Sequence, residues 1–158
     1  MAGRTLTEID LQEEAFAVRK AHFPDEINFY APGLKRYTTE EFEQKTPRAF
    51  LPLSLTGGAC VLQCDHCAAK ILDPMIPLNH QEGLFNLCKR LTESGTQAVL
   101  ISGGSGINGA VPLHNHIYEI TRIKKELGLR VLVHSGLVSE ETCAGLKRAK
   151  VDGVMIDI

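Results

Sequence analysis

From residue 49 onward the chain alternates short apolar runs with helix-patterned stretches, and this alternation constrains its fold more than any other feature. AFLPLSL (49–55), AVLIS (98–102), RVLVHS (130–135) and VMIDI (154–158) read as four strands. Asn79 and Glu82 frame a helix start ahead of Leu84, Phe85, Leu87, Cys88 and Leu91. A second helix is predicted over 113–127, and Ser139 caps a third that runs to about residue 149. Strand, loop and helix in repetition predict an α/β chain with a parallel sheet, its second strand apolar enough for burial on both faces. In such sheets ligands bind at the carboxyl ends of the strands. Four strands are too few to close a barrel, and an apolar last strand with no cover is a hazard. The pattern therefore predicts a parallel sheet with right-handed crossovers, truncated after its fourth strand or completed by another chain.

Residues 1–48 have a different texture and form an N-terminal helical and extended segment, ahead of the domain at 49–158. Thr5-Leu6-Thr7-Glu8 has capping-box spacing before Ile9, Phe16 and Val18, and Pro24 ends that pattern. Thr38-Thr39-Glu40-Glu41 repeats the signal ahead of Phe42, while NFYAPGLKRY (28–37) reads as extended chain with a Pro-Gly turn.

A net charge of -2 with mixed signs leaves no basic footprint for nucleic acid. No apolar run approaches bilayer length, and the charged N-terminus lacks a signal-peptide core. A cytoplasmic protein without membrane contact is expected, and there five cysteines point to metal or redox chemistry before disulfides.

Three of the five stand in TGGACVLQCDHCAAK (56–70), at Cys60, Cys64 and Cys67, directly after the first strand. Thiolates at this C-x3-C-x2-C spacing can hold one face of an iron–sulfur cluster. A [4Fe–4S] cluster has four irons, so three ligands leave one iron open to a substrate or cofactor. Gly57 and Gly58 allow the backbone to turn closely there. A Cys3His zinc site that includes His66 is the alternative, although His66 adjoins Cys67 where zinc ligands usually come from two separated turns. Cys88 and Cys143 sit among apolar residues of predicted helices and read as buried structural thiols. Ser102-Gly103-Gly104-Ser105-Gly106 follows the second strand and could be a turn or a phosphate cradle. His134 and Asp157 end the third and fourth strands, where they would line a site if functional. His114 and His116 read as solvated, and Arg122, Lys124 and Lys125 as an exposed helix face.

CVLQCDHC after an apolar strand, SGGSG after the next strand and the βα repetition together resemble the radical S-adenosylmethionine (SAM) enzymes over about residues 49–158. The resemblance implies a partial parallel (β/α) barrel of the radical SAM type, truncated after the fourth strand, and a [4Fe–4S] cluster on Cys60, Cys64 and Cys67, with SAM chelating the open iron. It further implies one-electron cleavage of SAM to methionine and a 5′-deoxyadenosyl radical that abstracts hydrogen from substrate. Gly103, Gly104 and Ser105 then match the family's Gly-Gly-Glu segment, whose backbone meets the amino end of SAM. His66 stands where an aromatic residue usually packs on adenine, and Ser105 stands where that segment usually has a glutamate. His134 and Asp157 would line the SAM or substrate cavity.

Within the family the chain looks most like the biotin and lipoyl synthase branch, and nearest to a subunit of the two-component lipoyl synthases. NFYAPGLKRY, the compact cysteine loop and HSGLV (134–138) carry that likeness. It implies a sulfurtransferase that inserts sulfur, served by a flavodoxin- or ferredoxin-like electron donor. A second radical SAM subunit and an acylated carrier protein as substrate are further partners it implies. No cysteine precedes Cys60, so ligands for an auxiliary, sulfur-donating cluster are not found there. Radical isomerisation, C–C bond formation and a non-catalytic metal-binding assembly role are the competing readings.

Overall fold

The computed structural model describes residues 7–26, 39–40, 48–79 and 81–156. The chain divides into two compact units, Met1–Ala31 and Pro32–Ile158. The first contains helix α1, Glu8–His22. Its capping box lies two residues later than Thr5 and Glu8 predict. The Thr7 hydroxyl accepts the Asp10 N–H at 3.2 Å, and the Asp10 carboxylate accepts the Thr7 N–H at 2.9 Å. An aspartate at the fourth position thus does the work usually given to glutamate. Ile9, Phe16 and Val18 are exposed on this helix. The whole 28–37 turn falls outside the described residues, as do Thr38, Glu41 and Phe42 of the second predicted cap.

The second unit is built on a five-stranded, wholly parallel sheet: β1 Phe50–Ser54, β2 Ile76–Pro77, β3 Ala98–Ser102, β4 Arg130–His134 and β5 Gly153–Met155, in the order β2-β1-β3-β4-β5. The sequence predicts four strands, and β2 is the one it hides. Two residues are too short for a periodic signal, and Pro77 argues against a strand. The chain leaves β1, runs through the cysteine loop and returns to pair Leu53 with Ile76 and Ser54 with Pro77. The last strand begins at Gly153, one residue before the predicted start, and residues 157–158 lie outside the described residues.

Helix α2, Leu84–Glu93, starts later than Asn79 and Glu82 predict, because those two form the turn before it. Gly83 supplies no capping side chain. Glu119 does so from another element, accepting the Phe85 N–H at 3.1 Å. The single helix predicted over 113–127 is three pieces: a 3-10 turn Leu113–His116, helix α3 Ile117–Arg122 and a π-helical turn Ile123–Leu127. Gly128, with φ of 64°, ends the run in the left-handed region. Helix α4, Glu140–Ala149, is capped by Ser139 as its sequence predicts, the Thr142 N–H donating to the Ser139 hydroxyl at 3.2 Å.

Burial is one-sided along the central strands. Leu53, Val99, Ile101, Val131 and Val133 are wholly buried with Leu84, Leu87, Ile120, Ile123 and Leu146 of the helices. Leu100 and Leu132, which alternate with them, are only half-buried among the described residues. The expectation of two buried faces for β3 is therefore corrected: helices cover one face. Cys88 lies in this core, and burial first, with the Glu119 charge second, pushes its thiol up to about 12. Cys143 is exposed on α4, contrary to expectation, because Thr142, Gly145 and Leu146 take the buried face of that helix. Lys124 is also not on an open face. Its ammonium bonds the Asp152 carboxylate at 2.6 Å and the Leu129 carbonyl at 3.0 Å, tying the π-helical turn to the approach to β5.

Leu53 is the fourth of the five residues of β1, the strand from which the cysteine loop departs. Leu53→Ala is expected to lower unfolding free energy by about 2–5 kcal/mol, read as a lower urea midpoint.

Candidate functional site

The strand registers bring Ser54 beside Ser102 and His134 beside Met155, so the carboxyl ends of β1, β3, β4 and β5 share one rim of the sheet. The segments leaving β1 and β3 continue side by side past the strands. The Leu55 N–H donates to the Ser102 carbonyl at 2.7 Å, and the Val61 N–H to the Ser105 carbonyl at 3.0 Å. Between these contacts, the Gly104 N–H donates to the Thr56 hydroxyl at 2.7 Å. A Cβ on Gly104 would stand 2.0 Å from the Ala59 carbonyl oxygen and 2.6 Å from the Cys60 Cα. Glycine is required there because two backbones touch.

The loop itself is turned on hydrogen bonds at short sequence range. Cys67 and Ala68 N–H groups both donate to the Cys64 carbonyl, at 3.1 and 2.7 Å, and the Gln63 side-chain amide closes on the Cys60 carbonyl at 2.8 Å. Gln63, Ala68 and Ala69 all adopt positive φ, at 44°, 43° and 61°. Non-glycine residues in this region are held there by their surroundings at a cost of order 1 kcal/mol each, and they gather at functional sites.

The outcome is a cavity of about 380 Å3, into which Cys60, Cys64, Cys67 and His66 face from the loop. Gly103, Gly104, Ser105 and His134 line it from the ends of β3 and β4. Exposed Leu62, Ile71 and Leu137 supply apolar wall. All of the sequence-predicted site residues are thus brought to one cavity except Asp157, which lies outside the described residues. Backbone hydrogen bonding, led by Gln63, holds the Cys60 thiol below its ordinary range against the upward pull of partial burial. That favours thiolate, the form that ligates metals. Among the described residues no three His, Cys, Asp or Glu side chains stand close enough to hold a single metal ion.

The sequence pattern missed Thr56 and Ser102. The Ser102 hydroxyl lies 3.1 Å from the His134 Nδ1, so a buried serine at the end of β3 orients the ring at the end of β4. His114 is exposed as predicted, yet it lines both a second cavity of about 560 Å3 and a third of about 530 Å3. The second cavity shares Cys60, Gly104 and Ser105 with the first. His116 is not solvated. Its Nδ1 lies 2.9 Å from the Glu119 carboxylate that caps α2.

No family model and no curated protein matches the chain. A functional reading therefore rests on the chemistry and placement of these residues. Among the described residues no helix is long and apolar enough to cross a membrane.

Two outcomes test the geometry. Gly104→Ala should part the two segments and destabilise the fold by about 1–3 kcal/mol, seen in thermal melts, with faster alkylation of Cys60. The pH–rate profile for Cys60 alkylation, read by peptide mass spectrometry, should have its midpoint below that of free cysteine; a midpoint above it would contradict the hydrogen bonding described.

Proposed function

We propose that this chain is the cluster-bearing part of a radical SAM enzyme. The observation that carries the reading is the single cavity shared by Cys60, Cys64 and Cys67 on one wall and by Gly103, Gly104 and Ser105 on the other. The donor set fits a [4Fe–4S] cluster: thiolate sulfur is its usual ligand, and each cysteine binds a different iron. Ligands of one cluster thus need not converge as tightly as the ligands of a single ion, and the lack of a single-ion site among the described residues is compatible with that. The one-sided sheet also supports the reading, since a barrel wall carries helices on its outer face alone.

Cys60, Cys64 and Cys67 would hold three irons and leave the fourth for SAM. Bound together, cluster and SAM would supply a one-electron route to hydrogen abstraction from an unactivated carbon. The chain's part is to bind and to orient. Backbone polar groups of Gly103 to Ser105 would meet the amino end of SAM, a contact that needs no glutamate side chain at Ser105. The His66 imidazole would stack on the adenine, and His134, held by Ser102, would line the space beside it. Leu62, Ile71 and Leu137 would limit water around a reactive species. On the sequence likeness alone, the reaction proposed within this class is sulfur insertion of the lipoyl synthase type. It would use a flavodoxin- or ferredoxin-like reductant, a second radical SAM subunit and an acylated carrier protein.

Anaerobic reconstitution with iron and sulfide should give a brown protein that, with dithionite, converts SAM to 5′-deoxyadenosine. Cys64→Ala should lower that rate by at least about 100-fold, the scale expected when a chemical centre is lost. Tight zinc binding with no SAM cleavage would sink the proposal. Products formed on an octanoylated carrier protein would separate sulfur insertion from isomerisation or C–C bond formation.

A further inference from the structure

Thr56 belongs to neither the cysteine triplet nor the glycine run, yet its hydroxyl joins them. It accepts the Gly104 N–H at 2.7 Å and donates to the Ala59 carbonyl at 2.8 Å, one residue before Cys60. The neighbouring contacts leave little slack for either segment to move alone. A Cβ on Gly103 would lie 3.2 Å from the Thr56 Oγ1, and one on Gly104 would overlap the Ala59 carbonyl. On the far side the Val61 N–H holds the Ser105 carbonyl, and the Cys60 thiol donates to that same carbonyl at 3.9 Å. Cys60 is therefore tied on both flanks to the 103–105 segment, and among the described residues Thr56 is the only side chain in these ties besides that of Cys60 itself.

We infer that Thr56 is a positioning residue that couples the cluster-holding loop to the SAM-binding segment, so that occupancy of one stabilises the other. The inference rests on the reading of the site as a cluster and SAM centre. The coupling is reciprocal by linkage: if cluster ligation at Cys60 fixes residues 103–105 for SAM, then SAM on those residues retains the cluster. A hydroxyl that both accepts and donates can hold two backbone segments at once, and an isosteric methyl can do neither.

The test compares Thr56→Val, which keeps shape and loses the hydroxyl, with Thr56→Ser, which keeps the hydroxyl. In the cluster-free protein, amide exchange at Gly104 should be about fivefold faster in Thr56→Val and unchanged in Thr56→Ser, the factor expected for one neutral hydrogen bond. In the reconstituted protein, SAM should slow iron loss to a chelator in the wild type and in Thr56→Ser. Thr56→Val should lose that protection and bind SAM about fivefold more weakly. Wild-type exchange at Gly104 in Thr56→Val would overturn the inference. So would fast exchange with wild-type SAM affinity and iron retention, because the tie would then be structural only. If Thr56→Val fails to fold, the wild type alone still decides: iron loss at one rate with and without bound SAM overturns the coupling. A wild type that takes up no cluster would instead sink the functional reading, an outcome distinct from a loaded protein that shows no coupling.

Discussion

The contact between the segments that leave β1 and β3 governs the rest of the site. At Gly104 the two backbones approach so closely that no side chain fits between them, and the hydrogen bonds on either side extend the parallel pairing beyond the strands. Sheet register thereby sets where Cys60 stands. The cysteine loop is long and irregular, but its first cysteine inherits the precision of a strand. Hydrophobic burial beneath β1, β3 and β4 supplies the rigidity, and the hydrogen-bonded rim passes it on to the cavity.

The site also draws on groups whose backbone conformation is costly. Gln63, Ala68 and Ala69 adopt left-handed backbone within the loop, and each cost is met by hydrogen bonds of the turns around it. Glu119 plays a comparable supporting role outside the site. Its carboxylate closes the start of α2, accepts from His116 and adds to the charge environment of buried Cys88. Partial burial pulls that carboxyl upward, but the His116 and Phe85 hydrogen bonds outweigh it and hold it below its ordinary range.

Much of this was legible in the sequence, for identifiable reasons. The apolar runs at 98–102 and 130–135 announced β3 and β4 because each is short, apolar and bounded by turn residues, although only alternate side chains reach the core, and Ser139 announced α4 because a serine cap satisfies helix N–H groups. The triplet of cysteines and the glycine run pointed to one rim because both follow strands. Other features left no periodic trace. The β2 strand is two residues long, and the pairing that defines it is made at long range. Cys143 sits on a helix whose apolar and polar faces are separated by small residues, so its exposure depends on Gly145 packing against Ile117 rather than on local hydrophobicity. Thr56 and Ser102 are ordinary polar residues until tertiary structure gives each a partner across the rim.

The return of the chain to β1 as β2 has an entropic consequence. By pairing Ile76 and Pro77 with Leu53 and Ser54, the fold itself closes the cysteine segment into a ring. Most of the chain entropy needed to gather the three sulfurs is already lost on folding, since the cost of closing a segment grows only with the logarithm of its length. What remains to be ordered for the proposed cluster would be the short span from Cys60 to Cys67, itself divided by turns. Gathering the three cysteines is in that sense a local event inside a loop that the sheet has already drawn shut.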